Sequence, residues 1–532
     1  PLVFFGFSLL ATVLFAQQNL HAEPGRISHE IQKLLERSEQ SRVSADLDWD
    51  RLKTFYSAKE YQQLWGDRYG PSYRAQKLRY VMRNAHRDGL KPSDYHLTEI
   101  DRRWSSINAT DLAELELLLT DAFFRYSIDL SQGRYKPYEV DPVWNIKVPE
   151  TDPIELLNSA YNSDNFNKAL QDLAPPHAGY RWLRDALAEY RKLARQGGWP
   201  SIETDVSLEY GQHHPAVAVL RERLRAEGDL TLRPVRSAEY FDQALKYAVE
   251  RFQVRHGLKM DGVVGRKTRD AMNVPISTRI EEIRLNMERW RWLPRNLGQS
   301  YVMVNTAGYE LLVFEHGEPA FGMSIISGKP ERPTPVIQGT IHSIVLNPDW
   351  TLPRTIVFED MLPQQQRNPR YFSTHGIRVY RNDREVDPAK VDWSSLDKDN
   401  FPYVLRQDPG PGNPLGRIKF MFGNNFDVYL HDTPKRRLFE KSMRALSSGC
   451  IRVQEPYKLA TYLLREQPEW SEQALREAVK TRKTLEISLD TRVSVYLVYF
   501  TAWVGNDGTI AFYDDIYDLD TSNPSFCIGS NP

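Results

Sequence analysis

The stretch FDVYLHDTPKRRLFEKSMRALSSGCIRV, Phe426–Val453, decides the fold of the C-terminal part of the chain. Its first residues alternate between apolar and polar side chains, which is typical of a β-strand with one buried face. Tyr429 and His431 lie next to each other on the second face of that strand. Cys450 follows a basic spacer and precedes a short apolar segment that is also strand-like. The apolar face of the first strand comprises Phe426, Val428 and Leu430.

These residue types are the ones that a catalytic site with a cysteine nucleophile requires. A catalytic thiol needs a base that removes its proton, and His431 is the candidate base for Cys450. A small residue beside the thiol lets the backbone approach an oxyanion, so Gly449 is a candidate donor of a backbone N–H, together with Cys450 itself. The group that orients the histidine stays open between Asp432, Ser447 and a backbone carbonyl.

The pattern His-Asp-Thr, followed after a spacer by Ser-Ser-Gly-Cys-Ile-Arg-Val, resembles the catalytic signature of the L,D-transpeptidases, whose catalytic domain is YkuD-like. The common family form is Ser/Thr-His-Gly-Cys, whereas Ser448 stands here in the place of that histidine. In this departure the chain resembles the large YcbB-like branch, which adds scaffold and peptidoglycan-binding domains. The mechanism therefore has no second histidine beside the nucleophile.

The resemblance implies an exported, periplasmic enzyme of peptidoglycan biosynthesis and cell shape. The implied reaction forms 3→3 cross-links through a thioester on Cys450, with release of D-Ala from a donor tetrapeptide stem and attack by an acceptor amine. Two alternatives stay open: a cysteine carboxypeptidase or hydrolase acting on the same stems, and a catalytically silent peptidoglycan-binding scaffold. The resemblance also implies reaction with carbapenem-type inhibitors and leaves contact with other cell-wall synthases open.

Four further residues are candidate substrate contacts. Arg452 lies two residues beyond Cys450, so a strand there places both on one face, where the guanidinium is suited to pair with stem carboxylates. A structural ion pair is the alternative. Tyr429 shares the face of the histidine and either donates a hydrogen bond or lines the groove. Ser447, and Trp350 at the start of an inserted segment, complete the set.

Composition limits the other classes of function. The chain has 532 residues, enough for roughly three or four domains. Its 69 basic and 70 acidic residues give a formal net charge of −1, which gives nucleic-acid binding no electrostatic support. No cofactor or metal is expected, because His213 and His214 are adjacent rather than spaced to converge on one ion, and neither HExxH nor CxxC occurs.

The N-terminal segment is apolar from Leu2 to Ala16, and a small residue, Ala22, follows it. This pattern predicts a secretory signal peptide over residues 1–22, or the same segment retained as an N-terminal anchor. Export would place the two cysteines, Cys450 and Cys527, in an oxidising compartment. We expect them not to form a disulfide with each other, since that bond would block the nucleophile.

The predicted fold class is multidomain α+β. Residues 26–203 are interpreted as a helical scaffold domain, and residues 206–273 as a small helical module. The module resembles the peptidoglycan-binding type 1 repeat, and it is predicted either to contact glycan or stem peptide or to serve as structural support. Thr268 is the predicted cap of its last helix. The resemblance rests on Phe252, Gln253, Gly257, Leu258, Asp261, Gly262, Gly265 and Thr268.

A linker helix within 274–300 leads to a mainly β catalytic domain at 301–515. The strand candidates of this domain are separated by short turns without long helices, which predicts an antiparallel sandwich or partial barrel. Residues from about 351 to 414 are polar and rich in proline, and we interpret them as a capping insertion over the site. A polar tail occupies 516–532.

Overall fold

The computed structural model describes residues 25–37, 46–231, 236–505 and 508–520. The predicted signal segment, Cys527 and most of the polar tail lie outside these residues. Contacts divide the chain into two units. The first comprises the described residues up to Lys136 together with Lys147–Glu189 and Ile283–Arg295, and the second comprises Pro137–Ile146, Tyr190–Glu282 and the described residues from Asn296 onward.

The N-terminal part of the chain is helical, because its apolar residues recur at helical spacing and polar side chains cap several helix starts. A two-stranded hairpin, β1 (Gly66–Asp67) and β2 (Gly70–Pro71), interrupts it. The helices are α1 (Arg26–Glu36), α2 (Trp49–Ser57), α3 (Tyr73–Arg83), α4 (Leu97–Arg103), α5 (Ala109–Ser131), α6 (Pro137–Val140), α7 (Pro153–Asn162), α8 (Phe166–Gln171) and α9 (Ala178–Arg195).

The long helix α5 is the centre of the first unit. It buries residues around most of its circumference, and α1, α3, α4 and α7 pack against it. The Asn108 side chain caps its first turn. Glu116 lies within this buried helix and accepts hydrogen bonds from the N–H groups of Leu64 and Trp65 and from the hydroxyl of Tyr56. A carboxylate inside the helix therefore anchors the chain that crosses over it.

The small module of the second unit consists of α10 (Pro215–Ala226), α11 (Gln243–Arg255) and α12 (Arg266–Met272) around one apolar core. Its sequence motif holds this fold together. The Gln253 carboxamide donates to Asp261, to the Val263 carbonyl and to Thr268, and it accepts from the N–H groups of Asp261 and Gly262. Thr268 lies inside α12, whose N-cap is Gly265, so the predicted cap is wrong.

The helix α13 (Ile276–Arg291) follows the module and leads to the β-rich part of the chain. Its strands are β3 (Ser300–Asn305), β4 (Glu310–Glu315), β5 (Glu318–Gly328), β6 (Ile337–Leu346), β7 (Trp350–Thr351), β8 (Ile377–Arg381), β9 (Arg384–Val386), β10 (Val404–Gln407), β11 (Ile418–Phe422), β12 (Leu430–His431), β13 (Ala445–Ser447), β14 (Ile451–Val453), β15 (Leu485–Val498), β16 (Ala502–Val504) and β17 (Ile510–Phe512). The predicted fold class, a helical N-terminal region followed by a mainly β domain, is confirmed.

Nine of these strands form one sheet in the order β13-β5-β14-β12-β11-β6-β15-β3-β4, and a further pairing of β4 with β5 closes it. The strands are not all antiparallel. β12 pairs in parallel with β14, β13 with β5, and β15 with β3. A parallel pair needs a crossover connection, and the basic spacer between β12 and β14 supplies one. The expectation of an antiparallel sheet is therefore only partly correct.

A second sheet, in the order β7-β10-β8-β9, is built from the inserted segment. It carries its own apolar core with three short helices, which are α14 (Arg354–Ile356), α15 (Leu362–Arg367) and α16 (Tyr371–Thr374). We refer to residues 350–407 as the cap. The helices α17 (Pro456–Leu463) and α18 (Glu472–Lys480) connect β14 to β15. None of the helices within the described ranges is long and apolar enough to cross a membrane.

The strand predicted from Phe426 is shorter than expected, since β12 begins only at Leu430. The Asn424 carboxamide bonds with the N–H groups of Phe426 and Val428 and with the Val428 carbonyl. Asp427 has a positive φ of 54°. This local turn, which the Asn424 side chain stabilises, replaces the first residues of the strand.

Candidate active site

The register of two parallel strands brings the candidate residues together. Leu430 lies opposite Ile451, and His431 lies opposite Arg452. The Ile451 N–H also donates to the Tyr429 carbonyl at 3.1 Å. Paired residues on neighbouring strands point to the same side of a sheet. One face of the sheet therefore carries His431 and Arg452 in one row, with Tyr429 and Cys450 in the row beside it.

The His431 ring is held by the carbonyl of the next residue. Its Nδ1 lies 2.6 Å from the Asp432 carbonyl oxygen. A carbonyl can only accept, so Nδ1 carries the proton and the lone pair is on Nε2. Burial, together with the nearby charges of Arg452 and Lys419, lowers the pKa of His431 to about 3, against the carbonyl contacts that raise it. The resting imidazole is therefore neutral, with the tautomer that a base requires.

The Cys450 thiol points to a backbone carbonyl and not to His431. Its Sγ lies 3.6 Å from the Asp427 carbonyl oxygen. Within the described residues, no hydrogen bond joins the thiol to His431. Burial raises the pKa of Cys450, whereas contacts with Tyr429 and the charges of Lys419 and Arg452 oppose the rise. In this state the side chain is a free, protonated thiol diagonal to the histidine.

The turn before the nucleophile is fixed by two hydroxyl groups. Gly449 has a φ of +111°, which is accessible to glycine but strained for other residues. Its N–H donates to the Ser447 hydroxyl at 3.1 Å, and that hydroxyl donates to the Cys450 carbonyl at 2.6 Å. The Thr334 hydroxyl donates to the Gly449 carbonyl at 2.8 Å. Ser447 is thus buried in the turn, which differs from the substrate contact that we expected of it.

This geometry selects the backbone donor at the site. The N–H of Gly449 is occupied by Ser447, so it is not available in this state as the oxyanion donor that we expected. In a trans peptide the C=O and N–H groups point in opposite directions. Because the Gly449 carbonyl points to Thr334, the N–H of Cys450 points away from Thr334, and we take it as the candidate backbone donor.

Two cations complete the sheet face. The Nε of Arg452 is buried and has no hydrogen-bond partner among the described residues. Lys419, on β11, lies opposite His431 on the side away from Arg452. Its ammonium group is 3.8 Å from the centroid of the Tyr429 ring. Lys419 was not among the predicted site residues, although it is the only basic residue in an otherwise apolar strand, IKFMF, that precedes the histidine.

The cap contributes Trp350 to the site. Trp350 is buried in the apolar core of the cap, and Tyr429 packs against both that core and the core of the large sheet. The contact with Trp350 opposes the rise in the pKa of Tyr429 that burial and the nearby Cys450 cause. Arg332 ties the cap to the turn, since it pairs with Glu359 and Asp360 at the start of the cap and donates to Ser448 at 2.9 Å.

The structure therefore assembles most of the predicted set. Cys450, His431, Tyr429 and Arg452 share one sheet face, and Trp350 reaches Tyr429 from the cap. Of the three options for orienting the histidine, the backbone carbonyl of Asp432 is the one observed. Thr334, Lys419 and Arg332 are additions that local sequence did not reveal. In the described part of the chain, no group of three or more His, Cys, Asp or Glu side chains is arranged to hold a metal ion.

Comparison with protein families assigns three regions of the chain. Residues 50–187 match the family described as "Scaffold domain". Residues 213–272 match the family described as "Putative peptidoglycan binding domain". Residues 299–513 match the family described as "L,D-transpeptidase catalytic domain", YkuD.

A curated relative from Haemophilus influenzae, described as "Putative L,D-transpeptidase", is 36% identical over 241 residues. The match covers 45% of this chain and 48% of that protein, so the chain spans about half the length of this relative.

Two solved structures also align with 56% of the chain. One is an L,D-transpeptidase from Xylanimonas cellulosilytica, with 17% identity, a TM-score of 0.20 and 99% of that chain covered. The other is an L,D-transpeptidase from Stackebrandtia nassauensis, with 12% identity, a TM-score of 0.22 and 96% of that chain covered.

Proposed function

Because the chain contains a YkuD L,D-transpeptidase catalytic domain together with scaffold and peptidoglycan-binding domains, we propose that it forms 3→3 cross-links in peptidoglycan. The donor is a tetrapeptide stem that loses its terminal D-Ala, and the acceptor is a side-chain amine of a second stem. Cys450 is the nucleophile and His431 is its base. The site is extracytoplasmic in this proposal, since its substrate is the cell wall.

In the first half of the reaction, Cys450 Sγ attacks the carbonyl between the third and fourth residues of the donor, and its proton passes to Nε2 of His431. The C–S bond forms and the carbonyl oxygen becomes an oxyanion, which accepts a hydrogen bond from the N–H of Cys450. The intermediate then collapses. The C–N bond breaks, D-Ala leaves with the proton from His431, and a thioester remains on Cys450.

In the second half, the acceptor amine attacks the thioester carbon and His431 takes one of its protons. Collapse of this second intermediate breaks the C–S bond, forms the cross-link amide and returns the proton to sulphur. Arg452 pairs with a substrate carboxylate, and Tyr429 either donates to the oxyanion or lines the groove with Trp350. The observation that carries the proposal is the shared sheet face of Cys450 and His431 within the YkuD domain, with Nδ1–H held by Asp432.

The resting thiol must turn before it reacts, because it points to the Asp427 carbonyl rather than to His431. On neighbouring strands, residues in diagonal positions have Cα atoms roughly 7–8 Å apart, which is within reach of a thiol and an imidazole. Catalytic hydrogen bonds are often formed only in the substrate complex. We therefore place the thiol–imidazole contact in the complex with the donor stem.

The test is incubation of the purified chain with disaccharide tetrapeptides, followed by mass analysis of the products. We expect release of D-Ala, an acyl adduct on Cys450 and cross-linked dimers. Cys450→Ala should abolish all three, and His431→Gln should lower the rate of acylation by at least about a hundredfold. His342→Gln, at an exposed position on β6, is the matched control. Trimmed monomers without dimers would instead identify a hydrolase.

A further inference from the structure

Lys419 and Arg452 lie on the two sides of His431 in one row of the sheet. Lys419 is opposite His431 across β11 and β12, and Arg452 is opposite His431 across β12 and β14. Adjacent strands are about 4.8 Å apart, so the two Cα atoms are separated by roughly 10 Å, which long basic side chains can span. Both charges are close enough to Cys450 to act on its thiol.

Neither cation is neutralised by a neighbouring carboxylate. In the described part of the chain, no carboxylate lies within ion-pair distance of Lys419 or Arg452, and Arg452 Nε is buried without a partner. The acidic groups that face Lys419 at longer range are Asp349, Asp427 and Glu486. Of these, Asp349 pairs with Arg406 at 3.3 Å, and Glu486 accepts from Ser343 at 2.6 Å.

Partly buried cations that no carboxylate neutralises are costly in a folded protein, and an anionic ligand removes that cost. We propose that Lys419 and Arg452 form an anion subsite that binds the α-carboxylate of the C-terminal residue of the donor stem, the residue that leaves. This subsite rests on the proposed function and adds Lys419 as a residue that determines the length of the donor.

The covalent structure of the donor supports this assignment. The carboxylate of the leaving residue is three bonds from the carbonyl that Cys450 attacks, so it must lie close to the sulphur. A donor with one more residue moves its terminal carboxylate away by up to about 3.5 Å. The Lys419 ammonium lies over the ring of Tyr429, and Tyr429 lies beside Cys450. Lys419 is therefore placed to bind the terminal carboxylate of the tetrapeptide rather than that of the longer pentapeptide.

The test measures binding of a stem tetrapeptide to the full chain carrying Cys450→Ala, which prevents turnover. Three ligands are compared by calorimetry: the tetrapeptide acid, its C-terminal carboxamide and the pentapeptide acid. We expect the tetrapeptide acid to bind about tenfold more tightly than the other two. Addition of Lys419→Met should remove that difference in affinity, because it should weaken binding of the tetrapeptide acid alone. Lys419→Arg should retain most of the difference.

Lys458→Met is the matched control, because Lys458 also lies over an aromatic ring, that of Phe321 at 4.7 Å, in the same domain. Equal affinity for the acid and the carboxamide in the parent would overturn the subsite, as would equal weakening of both by Lys419→Met. Thermal melting identifies any variant that has not folded. If Lys419→Met does not fold, the comparison of acid and carboxamide binding is made with Lys419→Arg instead. If the wild-type chain binds with this discrimination but forms no acyl adduct, the proposed function fails and the subsite stands.

Discussion

At the scale of single residues, the resting site is an uncharged thiol and an uncharged imidazole on a sheet face that carries two cations. Burial raises the pKa of Cys450, and burial with the two cations holds the pKa of His431 at about 3. A preformed thiolate–imidazolium pair is therefore absent from this state. A substrate carboxylate bound to Lys419 and Arg452 would cancel their effect on His431 and strengthen it as a base.

The reactivity of the free thiol tests this description. We expect the rate at which iodoacetamide alkylates Cys450 to rise steadily between about pH 6 and pH 10, because the thiolate forms only above the usual pKa of a thiol. No step should occur near pH 6.5, since His431 stays neutral over that range. Arg452→Gln should slow alkylation further, because the guanidinium favours the thiolate.

Intact mass against time gives the alkylation rate for Cys450. His342→Gln serves as the control for a histidine that lies away from the site. A rate that is already at its plateau below pH 7 would mean that an ion pair exists in the free protein, and the resting state described above would then be incorrect.

At the scale of elements, the turn between β13 and β14 is held by hydroxyl groups on both sides. Thr334 holds the Gly449 carbonyl and accepts from the N–H of Gly328 at 2.9 Å, while Ser447 bonds on the opposite side of the turn. The Thr334 N–H is in turn directed to the Tyr517 hydroxyl at 3.2 Å. These bonds fix the direction of the Cys450 N–H before any substrate binds.

We therefore expect Thr334→Val to lower kcat of acylation by roughly tenfold to a hundredfold, with little change in KM. The reason is that valine has the shape of threonine but cannot hold the Gly449 carbonyl, so the Cys450 N–H loses its fixed direction. Thr334→Ser keeps the hydroxyl and should restore most of kcat. A rise in KM with unchanged kcat, measured by D-Ala release, would contradict the role of Thr334 in positioning the Cys450 N–H.

The helix α5 carries the second element-scale prediction. Burial raises the pKa of Glu116 from 4.5 to about 7, against the hydrogen bonds that lower it. The folded state thus binds a proton more tightly than the unfolded state. The stabilisation that this proton gives to the folded state is fully present below about pH 4.5 and is lost as the pH rises through about 7. The loss in the free energy of unfolding is roughly 3 kcal/mol.

Denaturation of the full chain at pH 5 and pH 8 measures this loss in the transition that reports on the first unit. Glu116→Gln should flatten the pH dependence, because the amide stays neutral throughout. Glu155→Gln, at an exposed position on α7, should leave the pH dependence unchanged. The same slope in the Glu116 variant would show that another group is responsible.

At the scale of the second unit, the helical module and the β domain share buried polar contacts. Arg255 pairs with Glu227 at 2.6 Å and with Asp229 at 2.5 Å, and its Nη1 donates to the Ile510 carbonyl in β17 at 3.3 Å. The His256 ring lies 6.0 Å from the ring of Phe512, in stacked orientation. The module is thus joined to the β domain by a ring contact and by a hydrogen bond from Arg255, whose guanidinium is held in a buried ion pair inside the module.

Removal of one member of this group should destabilise both parts together. Arg255→Met leaves Asp229 buried without its cation and leaves Glu227 with Arg223 alone, which costs about 3–5 kcal/mol. Calorimetry should show one transition for the module and the β domain, shifted to lower temperature. Arg266→Met, which breaks an exposed pair with Asp270, should change stability by less than about 0.5 kcal/mol. A separate module transition would contradict the coupling.

The sequence by itself determined the helical and β-rich regions and the resemblance of the C-terminal part to an L,D-transpeptidase catalytic domain. The two-residue spacing of Tyr429 with His431 and of Cys450 with Arg452 was sufficient to predict a shared face, because side chains alternate along extended backbone. In the structure His431 and Arg452 lie on β12 and β14, and Tyr429 and Cys450 directly precede these strands. The predicted strand from Phe426 failed since the Asn424 side chain competes with the ladder for backbone groups, and propensity does not report that competition.

Only the tertiary structure decided which distant residues complete the site. Lys419 enters through strand register, and Thr334 enters through a hydrogen bond between residues 115 positions apart. The choice of Cys450 rather than Gly449 as the candidate backbone donor depends on the orientation of a single peptide group. Register and peptide orientation are set by the packing of the whole sheet, and no local pattern in the chain encodes them.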